Sequence, residues 1–139
     1  YKWGLVKSFY MENREERTFP YIIATIFFFL AYYLLKNLQI APVYYYFMTG
    51  ATFLLIITIL INLFWKISSH MIGIGAVLGA VSGLSFLLMI DLKLLIISII
   101  LISGLLAYSR LKLNAHSPAQ VYTGFILGVT VMYGLILLK

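Results

Sequence analysis

Two short stretches of this 139-residue chain, KISSH at 66–70 and SRLKLNAHSPAQ at 109–120, contain both of its histidines. Near neutral pH an imidazole can attack an electrophile or hand over a proton. Serines, lysines and an arginine beside it suit an anionic group such as a phosphate. His70 and His116 are therefore the candidate chemical groups, with Ser68, Ser69, Lys66 and Arg110 as candidate anion ligands and Gln120 four residues after His116.

Everything else must position those residues within a very apolar chain. Hydrophobic residues make up 63% of the sequence and charged residues 10%, and the mean hydropathy is +1.04; this is the composition of an integral membrane protein, not of a soluble domain. Five uncharged runs, 20–35, 43–65, 71–90, 94–109 and 119–138, approach or reach the ~20 residues that a helix needs to cross a bilayer core. They lack the alternation of barrel strands, and lipid offers no partner to a bare backbone, so helices are expected. The predicted fold is an all-α bundle of five spans, 20–139, preceded by an interfacial segment, 1–19, whose Trp3, Leu5, Val6, Phe9 and Tyr10 suggest one apolar face.

Cysteine is absent, which removes thiolate nucleophiles and thiolate metal sites, and neither a metal nor a cofactor is expected. The net charge of +6 comes from basic residues placed singly or in pairs beside span ends. That pattern marks interfacial anchors and not a nucleic-acid surface. Trp3, Trp65 and Tyr44 to Tyr46 fall at the proposed boundaries, where amphipathic rings collect. The chain opens on Tyr1 with no signal peptide before the first span, so a cut within a longer chain, with a helix upstream, is expected.

Parity then groups the candidates. With five spans, the segment before the first, the link between the second and third, and the link between the fourth and fifth share one membrane face. That face holds both histidine stretches, and it carries Lys2, Lys7, Arg14, Arg17, Lys66, Arg110 and Lys112 against Lys36, Lys93 and Lys139 on the other. The positive-inside rule would make it cytoplasmic. Anion-binding residues inflate the count, however, and orientation is left open.

Gly75, Gly79 and Gly83 in the third span, and Gly124 and Gly128 in the fifth, recur every four residues. Such spacing lets helix backbones approach closely, either within the bundle or between two copies of the chain. Ser117 followed by Pro118 is a good helix start, with the serine as N-cap and the proline at the first helical position. Ser68 and Ser69 can cap the third span in the same way. Two helix N-termini with unpaired N–H groups then lie beside two imidazoles, which makes a phosphate pocket at the membrane surface. Taken singly, each feature has a plainer meaning: an interfacial histidine, a snorkelling Lys66, a capping serine.

The set as a whole resembles the type 2 phosphatidic acid phosphatase superfamily of membrane lipid phosphatases. Its motif SRx5HxxxD is matched by Ser109, Arg110 and His116, with Gln120 in place of the aspartate. Its motif PSGH corresponds to Ile67, Ser68, Ser69 and His70, keeping the serine and the histidine. Its motif Kx6RP is matched in spacing by Lys7 and Arg14, with Glu15 in place of proline; Arg17, three residues before Pro20, could serve instead.

The resemblance implies a small bacterial-type enzyme of the cytoplasmic membrane that hydrolyses a phosphorylated lipid. His116 would attack phosphorus, His70 would protonate the departing alkoxide, and water would release phosphate. Arg110, Arg14 or Arg17, the Ser68/Ser69 helix start, Lys7 and Lys66 would hold the phosphate oxygens. Gln120 is the principal departure, because an amide offers no countercharge to the nucleophilic histidine. Glu12, Glu15 and Glu16 could replace the carboxylate if their segment folds over the site, or could form a solvated charge run; Asp91 lies on the opposite face. Two other readings accompany this one: a degenerate member that binds a phosphorylated lipid or a partner without hydrolysis, and a small transporter. The transporter leaves the one-sided histidines unexplained.

Overall fold

The computed structural model describes residues 14–38 and 42–138. They form five helices and no strand: α1 Arg14–Asn37, α2 Pro42–Phe64, α3 Ser69–Leu88, α4 Lys93–Lys112 and α5 Pro118–Leu137. All five are long and apolar enough to cross a membrane. Side chains such as Phe27, Ile26, Leu60, Leu94, Leu101 and Leu105 are exposed along them. A surface of that kind would associate in water but matches hydrocarbon, as an integral membrane protein requires.

The chain divides into two compact units, Tyr1–Lys66 and Ile67–Lys139. In the first, α1 packs along α2, with the Tyr32 ring edge-on to Tyr45 at 6.4 Å and Asn62 Nδ2 donating to Thr18 Oγ1 at 3.4 Å. The start of α1 differs from expectation. The apolar run predicts a helix from Pro20, whereas α1 begins at Arg14 and carries Pro20 inside it. Arg14 to Arg17 are good helix formers, and acidic residues suit a helix N-terminus. Near that end, the bond that proline removes is too little to stop the helix.

In the second unit α3 and α5 form the core, and α4 lies mainly against α3. The α3–α5 seam is built by glycine. A Cβ at Gly75, Gly79 or Gly128 would overlap the backbone of Phe125, Val129 or Ile72 respectively, and one at Gly124 would stand 2.9 Å from the Ser68 carbonyl oxygen. The glycine spacing is thus used within the unit. Met71, Ile72, Val121, Met132 and Ile136 close the seam from the sides.

Hydroxyls along the helices are satisfied by their own backbones. Thr52, Thr58, Ser103 and Thr130 each donate to a carbonyl four residues back. This is how a polar side chain is accommodated in a span without a partner helix.

Candidate functional site

The site residues of the second unit are placed by two turns of known chemistry. The first ends α4. Ala115 N–H donates to the Arg110 carbonyl at 3.1 Å and Asn114 N–H to the Leu111 carbonyl at 3.0 Å, the paired bonds of a Schellman motif. Asn114 supplies the left-handed residue that this motif needs, with φ 50°, and asparagine tolerates that conformation better than most. Arg110 consequently lies in the last helical turn of α4, not in the loop that the apolar run 94–109 predicts.

The second turn starts α5. Ser117 is the N-cap and Pro118 the first helical residue, and Ser117 and Gln120 form a reciprocal capping box. Gln120 N–H donates to Ser117 Oγ at 3.4 Å, and Ser117 N–H donates to Gln120 Oε1 at 3.1 Å. The sequence pattern S-x-x-Q announces this box, a signal that comparing Gln120 only with an aspartate overlooks. His116 sits between the two turns, 8% exposed, with Nδ1 3.1 Å from the same Gln120 Oε1.

The start of α3 meets this assembly. Ser68 N–H points to the Gln120 carbonyl at 3.4 Å, and Ile72 N–H donates to the Ser68 carbonyl at 3.0 Å. Ser68 occupies the N-cap position in extended conformation, but its side chain makes no capping bond, contrary to expectation. It is completely buried, and its Oγ has no hydrogen-bond partner among the described residues. Ser69 is the first helical residue. His70 follows it inside the first turn of α3, with its side chain exposed.

A second buried polar atom is left over at the same end. Arg110 Nε is shielded from solvent and has no partner among the described residues. Leaving such groups unmatched costs about 1–3 kcal/mol each. No acidic residue occupies the first turn of α3 or α5. Among the described residues, the end of the unit where α3 and α5 begin and α4 finishes therefore combines two helix N-termini free of acidic residues, a guanidinium and an orphaned hydroxyl. Its electrostatics suit an anion.

The structure thus joins Ser68, His116, Ser117 and Gln120 through hydrogen bonds, with Arg110 in the adjoining turn. Arg14, Arg17, Glu15 and Glu16 fall in the opening turns of α1, and Lys66 is the last residue of the first unit. Lys7 and Glu12 lie outside the described residues. Comparison of the chain with protein-family models, with curated protein sequences and with solved structures returns no match.

Proposed function

We propose that this chain is a membrane phosphatase of the type 2 phosphatidic acid phosphatase kind, acting on a phosphorylated lipid through a phosphohistidine. The observation that carries the reading is the pair of buried, unpartnered atoms, Ser68 Oγ and Arg110 Nε, at the end of the unit where His116 is held by Gln120. A phosphate bound at this end, once local movement uncovers the two atoms, would supply the acceptors that both lack. Phosphoryl transfer asks chiefly for positioning and positive electrostatics. Two helix starts and Arg110 provide them.

In this reading His116 Nε2 forms a bond to phosphorus as the bond to the lipid oxygen breaks, and His70 delivers a proton to that oxygen. Water then attacks phosphorus, giving its proton to His70, and the P–N bond breaks to release phosphate. The exposed position of His70 in the first turn of α3 suits a group that exchanges protons with solvent. The lipid tails would stay in the bilayer beside the exposed apolar faces of the helices.

One observation favours a second reading, a protein that binds a phosphorylated lipid without hydrolysing it: the residue at the aspartate position of the resemblance, which holds His116 Nδ1, is a neutral amide. Phosphate release from a panel of lipid phosphates and pyrophosphates, by wild type, His116→Ala and Gln120→Asp, separates the two. Release lost in His116→Ala supports the phosphatase. Release seen only in Gln120→Asp supports the binding protein, and silence from all three counts against the phosphatase and the family resemblance on which it rests.

A further inference from the structure

We propose that Gln120 is a positioning residue that locks His116 in the tautomer protonated on Nδ1, and does so by using the N-cap of α5 to orient its own amide. Ser117 N–H can only donate, so the Gln120 atom 3.1 Å away must be the amide oxygen; a flipped amide would set two donors face to face. That oxygen can only accept. His116 Nδ1 lies 3.1 Å from the same atom, and it must therefore carry a proton.

Three consequences follow. In the neutral ring the lone pair belongs to Nε2, the opposite of the tautomer that free imidazole side chains prefer in water. The two lone pairs of Oε1 are both engaged, one by Ser117 N–H and one by His116, so the amide has no spare freedom to turn. Protonating the ring adds a hydrogen at Nε2 and leaves Nδ1–H in place, so the contact persists in both charge states. The use made of Nε2 as a nucleophile rests on the phosphatase reading. The tautomer does not.

Nitrogen NMR of the two ring nitrogens tests this in full-length protein labelled at histidine and held in detergent micelles. The sequence has only two histidines, so a His70→Gln background leaves His116 as the single reporter. Above its titration the ring is expected to carry its proton on Nδ1 in that background. Gln120→Ala should move most of the population to the Nε2-protonated form, and Gln120→Glu, which keeps an oxygen at the same reach, should restore Nδ1–H. Ser117→Ala weakens the helix start but keeps both backbone N–H and amide, and should leave the tautomer unchanged.

An Nε2-protonated ring in the background protein, or no shift in Gln120→Ala, would overturn the inference. So would a shift in Ser117→Ala as large as in Gln120→Ala, since fraying of the helix alone would then explain it. A locked tautomer in that background, with no phosphate release by the wild-type protein, leaves the inference standing and counts against the phosphatase; a mixed tautomer with release by the wild type does the reverse.

Discussion

Gly128 lies against the backbone of Ile72 so closely that a methyl group on its α-carbon would overlap the Ile72 carbonyl oxygen and crowd Ala76 N at 2.7 Å. Lipid supplies no hydrophobic drive between helices, so this approach and its equivalents at Gly75 and Gly79 are what hold α3 to α5. Because Gly124 stands against the Ser68 carbonyl in the same seam, packing and site geometry are one structure.

Gly128→Val should therefore lower stability by about 1–3 kcal/mol through overpacking, read as a reduced unfolding midpoint in detergent. Gly104→Ala is the matched control. A Cβ at Gly104 meets nothing within 4 Å, and removing a mid-helix glycine should be neutral or stabilising by up to about 1 kcal/mol. Equal losses in both variants would mean that the seam does not carry the unit.

The parts of the fold that were legible in the sequence are those set by local periodicity. Uncharged runs near the length of a bilayer core mark all five helices, and four-residue glycine spacing marks the α3–α5 seam. Ser117 and Pro118 mark a helix start because capping is a matter of neighbouring residues. Ser68 shows where such reasoning stops. Serine before a helix reads as a cap, yet its hydroxyl is buried and makes no capping bond. Burial is decided by the other helices, and no local pattern reports it. The start of α1 escapes for a similar reason: proline is a reliable boundary only when the residues before it cannot continue the helix.

Ser68→Ala should move stability and binding in opposite directions. The orphaned hydroxyl costs about 1–3 kcal/mol while unpaired, so its removal should raise the unfolding midpoint of the ligand-free protein by an amount on the order of 1 kcal/mol. If the hydroxyl is a phosphate ligand, the same variant should weaken binding of inorganic phosphate or vanadate about 5- to 10-fold, the worth of one hydrogen bond. Arg110→Ala should weaken it further, because a charged donor is lost. A variant that is more stable and binds equally well would make Ser68 an ordinary core residue.

Pro20 sits six residues into α1, where it removes the hydrogen bond that a residue 20 amide would donate to the Glu16 carbonyl. Pro20→Ala should restore that bond and slow amide hydrogen exchange over residues 18–22. The gain should approach the ~3 kcal/mol helix-interior penalty of proline only if the opening turn is firmly docked, and should be smaller if it frays. Faster exchange in the variant would show that proline stabilises this helix start.

Side-chain length decides which carboxylate can replace the Gln120 amide. Gln120 Oε1 reaches both Ser117 N–H and His116 Nδ1 at 3.1 Å, and glutamate is the isostere that keeps that reach while adding charge. Aspartate is one methylene shorter and cannot hold both contacts without moving the start of α5, where Ser68 N–H meets the Gln120 carbonyl. Gln120→Glu should therefore raise phosphate release more than Gln120→Asp. Loss of an orienting carboxylate costs a serine protease about 10⁴ in turnover, which sets the scale that the gain cannot exceed. A carboxylate retains the capping-box acceptor, so Gln120→Glu should leave stability within about 0.5 kcal/mol, while Gln120→Asp loses up to ~1 kcal/mol with the cap. Phosphate-release assays and unfolding midpoints on the same two proteins check both halves. If aspartate outperforms glutamate in release without loss of stability, the start of α5 is free to adjust and the shared oxygen is not what sets the geometry of His116.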